Sequence, residues 1–132
     1  MIRTNISSDT PWESIVGYSR AVRVGPDIHV AGTTAVDSEG KLVGGEDPYS
    51  QTTYILDKIE KALQKAGAEL RDVVRTRIYV TDVTDWDEVG RAHGEVFGHI
   101  RPAATLVEVN SLLEPEMRVE IEVDAIGVGS TI

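Results

Sequence analysis

Residues 118–126 read RVEIEVDAI, and charged and apolar side chains alternate along the whole stretch. Successive side chains of a strand point to opposite faces of a sheet. One face of this predicted strand is therefore apolar, and the other carries four charged residues: Arg118, Glu120, Glu122 and Asp124. The apolar face predicts a core on that side of the sheet, whereas the charged face is either solvated or covered by another molecule.

Two other strands are predicted in the C-terminal half, at residues 73–81 (VVRTRIYVT) and 104–109 (ATLVEV). In the first of these, Arg75 and Arg77 fall on the face opposite Thr76. Arginines on one strand and carboxylates on another favour cross-strand ion pairs, each worth roughly 0.2–1 kcal/mol. Burial of the charged face against another subunit is the alternative.

A hairpin is predicted in the N-terminal half. Residues 18–24 (YSRAVRV) and 28–34 (IHVAGTT) read as strands, and the Gly-Pro-Asp sequence at 25–27 is typical of a turn between them. A loop rich in glycine and acidic residues follows at 35–47.

The first helix is predicted to begin after Asp47, with Pro48 at its first position and Gly67 as its stop. Its apolar stripe at helical spacing consists of Ile55, Ile59, Ala62, Leu63 and Ala66. Three lysines lie toward the negative end of the helix: Lys58, Lys61 and Lys65.

The second helix is predicted within residues 85–100, where Asp85 and Glu88 match a variant of the capping box. Five side chains share one face: Trp86, Val89, His93, Val96 and Phe97. We expect Trp86 to anchor the core. His93 is either a satisfied core or interface residue or a functional one, because imidazole titrates near neutral pH.

These elements give the order β-β-α-β-α-β-β, which predicts an α+β fold. Two helices of this kind most naturally cover one face of a single mixed sheet. The length of 132 residues fits a single domain, residues 1–132.

Composition argues against several classes of function. The 13 basic residues are scattered and outnumbered by 22 acidic ones, giving a net charge of −9, which disfavours nucleic-acid and anionic-membrane binding. There is no cysteine, and no stretch approaches the length of a membrane span. The start of the chain has no apolar run typical of a signal peptide, so we expect a cytoplasmic protein.

Motifs for metal or nucleotide chemistry are missing from the sequence. None of His29, His93 and His99 pairs with another at metal-ligand spacing, so no metal site is predicted.

Glu120 and Glu122 share a strand face about 7 Å apart. A carboxylate in a dry cleft has a raised pKa and can act as a base, but the sequence does not distinguish the two glutamates in this respect.

Five segments of the chain resemble the Rid family of reactive intermediate deaminases, also called YjgF-like proteins. They are GYSRAVRVG, HVAGTT, AGAELRDVVRTRIYVTD, RPAATLVEV and VEIEVDAI, in family order and spacing from about Gly17 to Ile126. The resemblance implies a chorismate-mutase-like fold and a homotrimer with a cleft between each pair of subunits. It also implies hydrolysis of imines and enamines without a cofactor.

The resemblance further implies the residues of the cleft. Glu120 matches a glutamate that helps to activate water, Tyr18 a cleft tyrosine, and Gly32 a backbone position. Family deaminases carry an arginine that holds the substrate carboxylate directly after the Pro-Ala of the penultimate strand, but Ala104 occupies that position here. Arg101 lies three residues earlier, roughly 10 Å away along an extended chain.

Arg20 is the better substitute for the missing arginine, because it shares a predicted strand with Tyr18. We expect a small carboxylate or imine to bind between subunits against Arg20, Gly32 and Thr33, with Glu120 and His93 near enough to exchange protons. A charged Glu120 would then raise the pKa of His93. The alternative is that Arg20 pairs with Glu120 or Glu122 and closes the cleft.

Several functions agree with this sequence. The protein is a deaminase of simple 2-iminoacids, an enzyme with another small-molecule substrate at the same cleft, or a trimer that binds a small molecule without catalysis. Ribonuclease or translation-inhibitor activity, also attributed to family members, fits the acidic charge least well.

Overall fold

A computed structural model describes residues 1–8 and 10–127. Across these residues the chain forms six strands and two α-helices: β1 (Arg3–Ile6), β2 (Ala21–Val24), β3 (Asp27–Thr33), α1 (Pro48–Lys65), β4 (Val73–Val80), α2 (Trp86–Phe97), β5 (Ala103–Glu108) and β6 (Val119–Ile126). Short helical turns precede Tyr18, β4 and α2, at Glu13–Gly17, Leu70–Asp72 and Val83–Asp85.

The strands form one mixed sheet in the order β1-β2-β3-β6-β4-β5. Only the β4–β5 pair is parallel, and the other neighbours are antiparallel. The α+β prediction with a single mixed sheet is therefore confirmed. The predicted order was one strand short, because β1 is four residues long and buries only Ile6, which leaves little apolar pattern to detect.

The predicted strand 18–24 was wrong at its start. Regular pairing begins at Ala21, and residues 18–20 follow the helical turn Glu13–Gly17 in an irregular path. Tyr18 and Arg20 therefore lie just ahead of β2 and not within it.

Helix α1 begins and ends where its sequence predicts. The Asp47 carboxylate accepts a hydrogen bond from the Ser50 amide at 3.0 Å, and Pro48 occupies the first turn. After Lys65 the chain leaves the helix through Gly67, whose φ of 80° is in the left-handed region that favours glycine.

The start of α2 differs from the prediction. The Asp85 side chain makes no capping bond, so the capping box with Glu88 was wrong; its carboxylate instead accepts from Arg118 at 2.9 Å. Asp82 caps the preceding turn by accepting from the Thr84 amide. Trp86 is 60% exposed, so it does not anchor the core of this chain.

The two faces of the sheet have opposite character. Apolar side chains from β3, β4 and β6 pack with α1 and α2 into one core. On the other face Arg77 pairs with Asp124 at 2.9 Å, and Tyr79 donates to Glu122 at 2.7 Å. The predicted charged face with cross-strand pairs is confirmed. Across the described part of the chain, no helix is long and apolar enough to cross a membrane.

Candidate functional site

The candidate site contains a buried arginine. Arg20 is only 6% exposed, and its Nη1 donates to the Gly32 carbonyl at 2.9 Å and to the Thr33 hydroxyl at 2.8 Å. Its Nη2 donates to the Tyr18 hydroxyl at 3.3 Å, and its Nε is buried without a partner in the described residues. These contacts bring together four of the predicted site residues and leave one Nη2 hydrogen available.

A β-bulge positions Glu120 beside this arginine. The register between β3 and β6 shifts between Val30 and Thr33, so that a step of three residues in β3 faces a step of two in β6. Gly32 lies in this bulge, and a Cβ there would collide with the Glu120 carboxylate. Any residue other than glycine at position 32 would displace this carboxylate.

The pKa of Glu120 is raised above its ordinary value. Partial burial of the carboxylate is the main cause, and the charge of Glu122 adds to it; the nearby Arg20 guanidinium acts in the opposite direction. Arg20 forms no ion pair with Glu120 or Glu122 in the described structure, so its guanidinium does not close the site in that way. A carboxyl group whose pKa is raised in this manner binds a proton more readily, and such a group can act as a general acid as well as a base.

Lys58 of α1 lies near Arg20 and Glu120. Its Nζ donates to the carbonyl oxygens of Thr34 at 3.0 Å and Val36 at 2.7 Å. Burial, and secondarily the charge of Arg20, lowers the pKa of Lys58 to about 8. From the sequence, this lysine was expected only to lie toward the negative end of the helix, although its position three residues after Ile55 and four before Ala62 placed it beside the buried stripe.

These residues line a cavity of about 260 Å³. Its polar wall contains Tyr18, Arg20, Lys58 and Glu120. Its less polar wall is supplied by Trp12, Val16, Val36, Leu113 and Met117. The volume and the mixed lining suit a small metabolite with one anionic end.

His93 lies on the other side of the sheet. Its Nε2 is 2.9 Å from the hydroxyl of Thr76, and its ring packs 4.7 Å from that of Phe97. Thr76 is buried on the helix-covered face of β4, whereas Glu120 is on the opposite face of β6. Within one chain His93 and Glu120 cannot exchange protons. In the single chain burial lowers the pKa of His93; the raised value expected beside a charged Glu120 in a cleft between subunits stays a prediction.

Arg101 and Ala104 also lie away from the cavity of their own chain. Ala104 is exposed on β5, the edge strand, opposite Thr76 of β4. Arg101 precedes β5 with a φ of 58°, and its Nε donates to the Gly98 carbonyl at 3.2 Å. Neither residue lines the cavity formed by Arg20 and Glu120. Among residues 1–8 and 10–127, no group of three or more carboxylates and histidines could hold a metal ion.

A single mixed sheet with two helices on one face and a cavity beside the β-bulge defines a class of small α+β proteins. Residues 8–127 match the family model described as Endoribonuclease L-PSP. The chain belongs to this family, whose members are also called YjgF-like, RutC or Rid proteins.

Individual relatives agree with this assignment. The crystal structure of a YjgF/YER057c/UK114 family member from Mycobacterium tuberculosis is 53% identical, with a TM-score of 0.87 over 95% of this chain and 99% of that one. An uncharacterised protein of Streptomyces coelicolor is 38% identical over 91% of this chain and 89% of its own length. A RutC family protein of Pyrococcus abyssi is 39% identical over 80% and 82%, respectively. The implied chorismate-mutase-like fold is thereby confirmed.

Proposed function

We propose that this protein binds a small carboxylate-bearing imine or enamine in the cavity beside Arg20 and hydrolyses its C=N bond. The observation that carries the proposal is the Glu120 carboxylate, held over Gly32 with a raised pKa and next to a buried guanidinium. A group able to give and take a proton near a fixed cation is what imine hydrolysis requires.

The reaction needs one proton-transfer group and one water molecule. Protonated Glu120 donates a proton to the imine nitrogen, and water adds to the imine carbon while giving one proton back to Glu120. Glu120 then donates this proton to the nitrogen, the C–N bond breaks, ammonia leaves, and the hydroxyl loses its remaining proton to Glu120 as the C=O bond forms. The free Nη2 hydrogen of Arg20 is available to the substrate carboxylate, and such charge-assisted bonds are strong.

We also propose that three copies assemble, as the resemblance implies. The charged face of the sheet, which neither helix covers, and the exposed edge strand β5 offer surfaces for such contacts. In the trimer that the resemblance implies, Arg101 and Ala104 of one copy would lie at the cleft of another; neither lines the cavity of its own chain. Within one chain only Glu120 serves proton transfer; His93, whose Nε2 lies 2.9 Å from the hydroxyl of Thr76, the residue opposite Ala104, would have to come from a neighbouring copy.

Two experiments test the proposed site. Ammonia release from 2-iminobutyrate, generated in solution by an amino acid oxidase, is compared for the wild type and Glu120→Gln; equal rates would refute hydrolysis by Glu120. Calorimetric titration with a panel of small carboxylates compares the wild type with Arg20→Ala. If Arg20→Ala binds the best ligand as tightly as the wild type does, the assignment of Arg20 is wrong.

The alanine at position 104 stands where family deaminases carry the arginine that holds the substrate carboxylate. It therefore favours a second candidate function, that of a trimer that binds a small molecule without catalysis. In that case the carboxylate titration shows binding that depends on Arg20, and no imine is hydrolysed faster than in buffer. The name endoribonuclease given to relatives does not extend to this chain in our proposal, because its net charge of −9 opposes RNA. A cytoplasmic location remains a prediction.

A further inference from the structure

The Lys58 amine is held in an unusual setting for a lysine. Two of its three hydrogen-bonding positions are used by the carbonyl oxygens of Thr34 and Val36. No carboxylate of residues 1–8 or 10–127 forms an ion pair with it, in contrast to Lys61 one turn away, which pairs with Asp57 at 2.9 Å. The third position on the nitrogen is therefore the one available to a ligand in the cavity that Lys58 lines.

Some of the charged groups around Lys58 lower its pKa and others raise it. Arg20 faces it from the segment before β2 and disfavours the ammonium form, as does burial. Asp37 and Glu13 favour the ammonium form, and Glu120 lines the same cavity. Burial and Arg20 prevail and lower the pKa to about 8. About a tenth of the molecules then carry a neutral amine at pH 7, against fewer than about one in a thousand for an ordinary lysine.

A neutral amine at this position has a defined geometry. Its two hydrogens are donated to Thr34 and Val36, so that its lone pair occupies the third position. An amine that is partly desolvated and beside another cation is the usual form of a lysine nucleophile. Arg20 for a carboxylate and Glu120 for a proton line the same cavity.

We propose that Lys58 is a nucleophile that forms a covalent imine with small 2-oxo acids. The lone pair of Nζ adds to the carbonyl carbon and gives a carbinolamine. Glu120 donates a proton to the hydroxyl, which leaves as water as the C=N bond forms, and the nitrogen loses a proton to Glu120. An imine substrate would react in the same way and release ammonia instead of water. The inference rests on the ligand class of the proposed function but not on its reaction.

Reductive trapping tests the inference on the intact protein. The wild type is incubated with pyruvate and sodium borohydride, which reduces the C=N bond to a stable amine, and the adduct is located by peptide mass mapping. We expect one adduct, at Lys58, that forms faster as the pH rises from 6 through about 8. The matched variants are Lys58→Arg, which keeps a donor for the two carbonyls, and Lys61→Arg, on the same helix.

Loss of the adduct in Lys58→Arg and its retention in Lys61→Arg would support the inference. No adduct, or labelling spread over the exposed lysines and the N-terminus, would overturn it. Because mapping of the wild type locates the label directly, the result stands even where Lys58→Arg fails to fold. Trapping is read by mass and imine hydrolysis by released ammonia, so either reaction can fail without the other.

Discussion

At the scale of single residues, the close approach of the Glu120 carboxylate to Gly32 restricts which residue can occupy position 32. A Cβ at position 32 would collide with the carboxylate, which is the mobile end of its side chain and can turn away. We predict that Gly32→Ala folds but loses at least about 10-fold in imine hydrolysis, because a misplaced catalytic group is costly. Ammonia release measures the loss, and circular dichroism verifies the fold.

Gly90→Ala is the matched control for that substitution. Gly90 is an exposed position of α2 with no atom near a Cβ. Alanine there should stabilise the protein by about 0.5–1 kcal/mol through helix propensity and leave hydrolysis unchanged. Unchanged hydrolysis in Gly32→Ala would show that the position of Glu120 does not matter.

The raised pKa of Glu120 has a consequence for stability. A carboxyl group whose pKa is higher in the folded state binds its proton more tightly there, so it favours folding at low pH, and that contribution is lost as the pH rises above 4.5. We predict that Glu120→Gln has a larger free energy of unfolding than the wild type at pH 7. The difference should shrink below pH 4.5, and urea denaturation at both pH values measures it. A variant less stable than the wild type at pH 7 would contradict this.

The sequence predicted some residues of the site and not others. Tyr18 and Gly32, which the resemblance implied, and Arg20 and Thr33, which were inferred from their place beside them, are brought together by hydrogen bonds of Arg20. The meeting of Glu120 and His93 between subunits stays a prediction; within one chain, alternation puts Glu120 on the charged face and helical spacing puts His93 on the covered one. Lys58 was missed because its role depends on the path of the loop at 34–36, and no sequence pattern specifies that path.

At the scale of elements, α1 also supports the segment between β5 and β6. Gln51 is fully buried: its Nε2 donates to the carbonyls of Gly45 at 2.7 Å and Glu116 at 2.9 Å, and its Oε1 accepts from the Arg118 amide at 2.9 Å. No sequence pattern predicted a role for this glutamine. Its contacts hold the chain next to Met117, which lines the cavity.

We predict that Gln51→Ala lowers the free energy of unfolding by about 2–4 kcal/mol. Three backbone groups lose their partner, and each buried polar group left unpaired costs about 1–3 kcal/mol, partly relieved by water. Urea denaturation compares this variant with Gln64→Ala, an exposed position of the same helix that should change stability by less than about 0.5 kcal/mol. Equal effects of the two substitutions would contradict the supporting role of Gln51.

Elements with strong periodicity were predicted well, and short or irregular ones were not. Helix α1 has a cap, a proline and a complete apolar stripe, so its bounds followed from local rules. Strand β1 owes its existence to pairing with β2, from Arg3 opposite Val24 to Ile6 opposite Ala21. The start of α2 depends on Arg118, which is 33 residues away. The Asp85 carboxylate accepts a hydrogen bond from Arg118 and therefore does not cap the helix.

At the scale of the whole molecule, we predict a homotrimer. The exposed apolar side chains Trp86, Val107 and Leu113 have no cover within the described chain, and β5 is a free sheet edge. Light scattering should give three times the chain mass of 14.4 kDa at micromolar concentration. Val107→Glu on β5 should shift the mass downward, whereas Gln64→Glu on the exposed side of α1 should not. A wild type that scatters as a 14.4 kDa particle would refute both the trimer and its clefts.

The substitution at position 104 determines how well simple 2-iminoacids are used. In the proposed trimer Ala104 would face a neighbouring cleft, where family deaminases carry an arginine for the substrate carboxylate. One charge-assisted hydrogen bond contributes about 1.5–3 kcal/mol, so its loss lowers the rate about 10- to 100-fold. We therefore predict that 2-iminobutyrate and 2-iminopropionate are hydrolysed at least this much more slowly than by an arginine-bearing relative under equal conditions.

Ala104→Arg provides the complementary test. Position 104 is exposed on an edge strand, so the longer side chain need not disturb the core of its own chain. If the missing cation limits the reaction, the variant should hydrolyse 2-iminobutyrate faster than the wild type, while Thr105→Arg, the next position on β5, should give no gain because alternate residues point to the other face. A wild type that already matches the arginine-bearing relative would show that Arg20 alone holds the carboxylate, and the absence of an arginine at position 104 would then have no consequence for the rate.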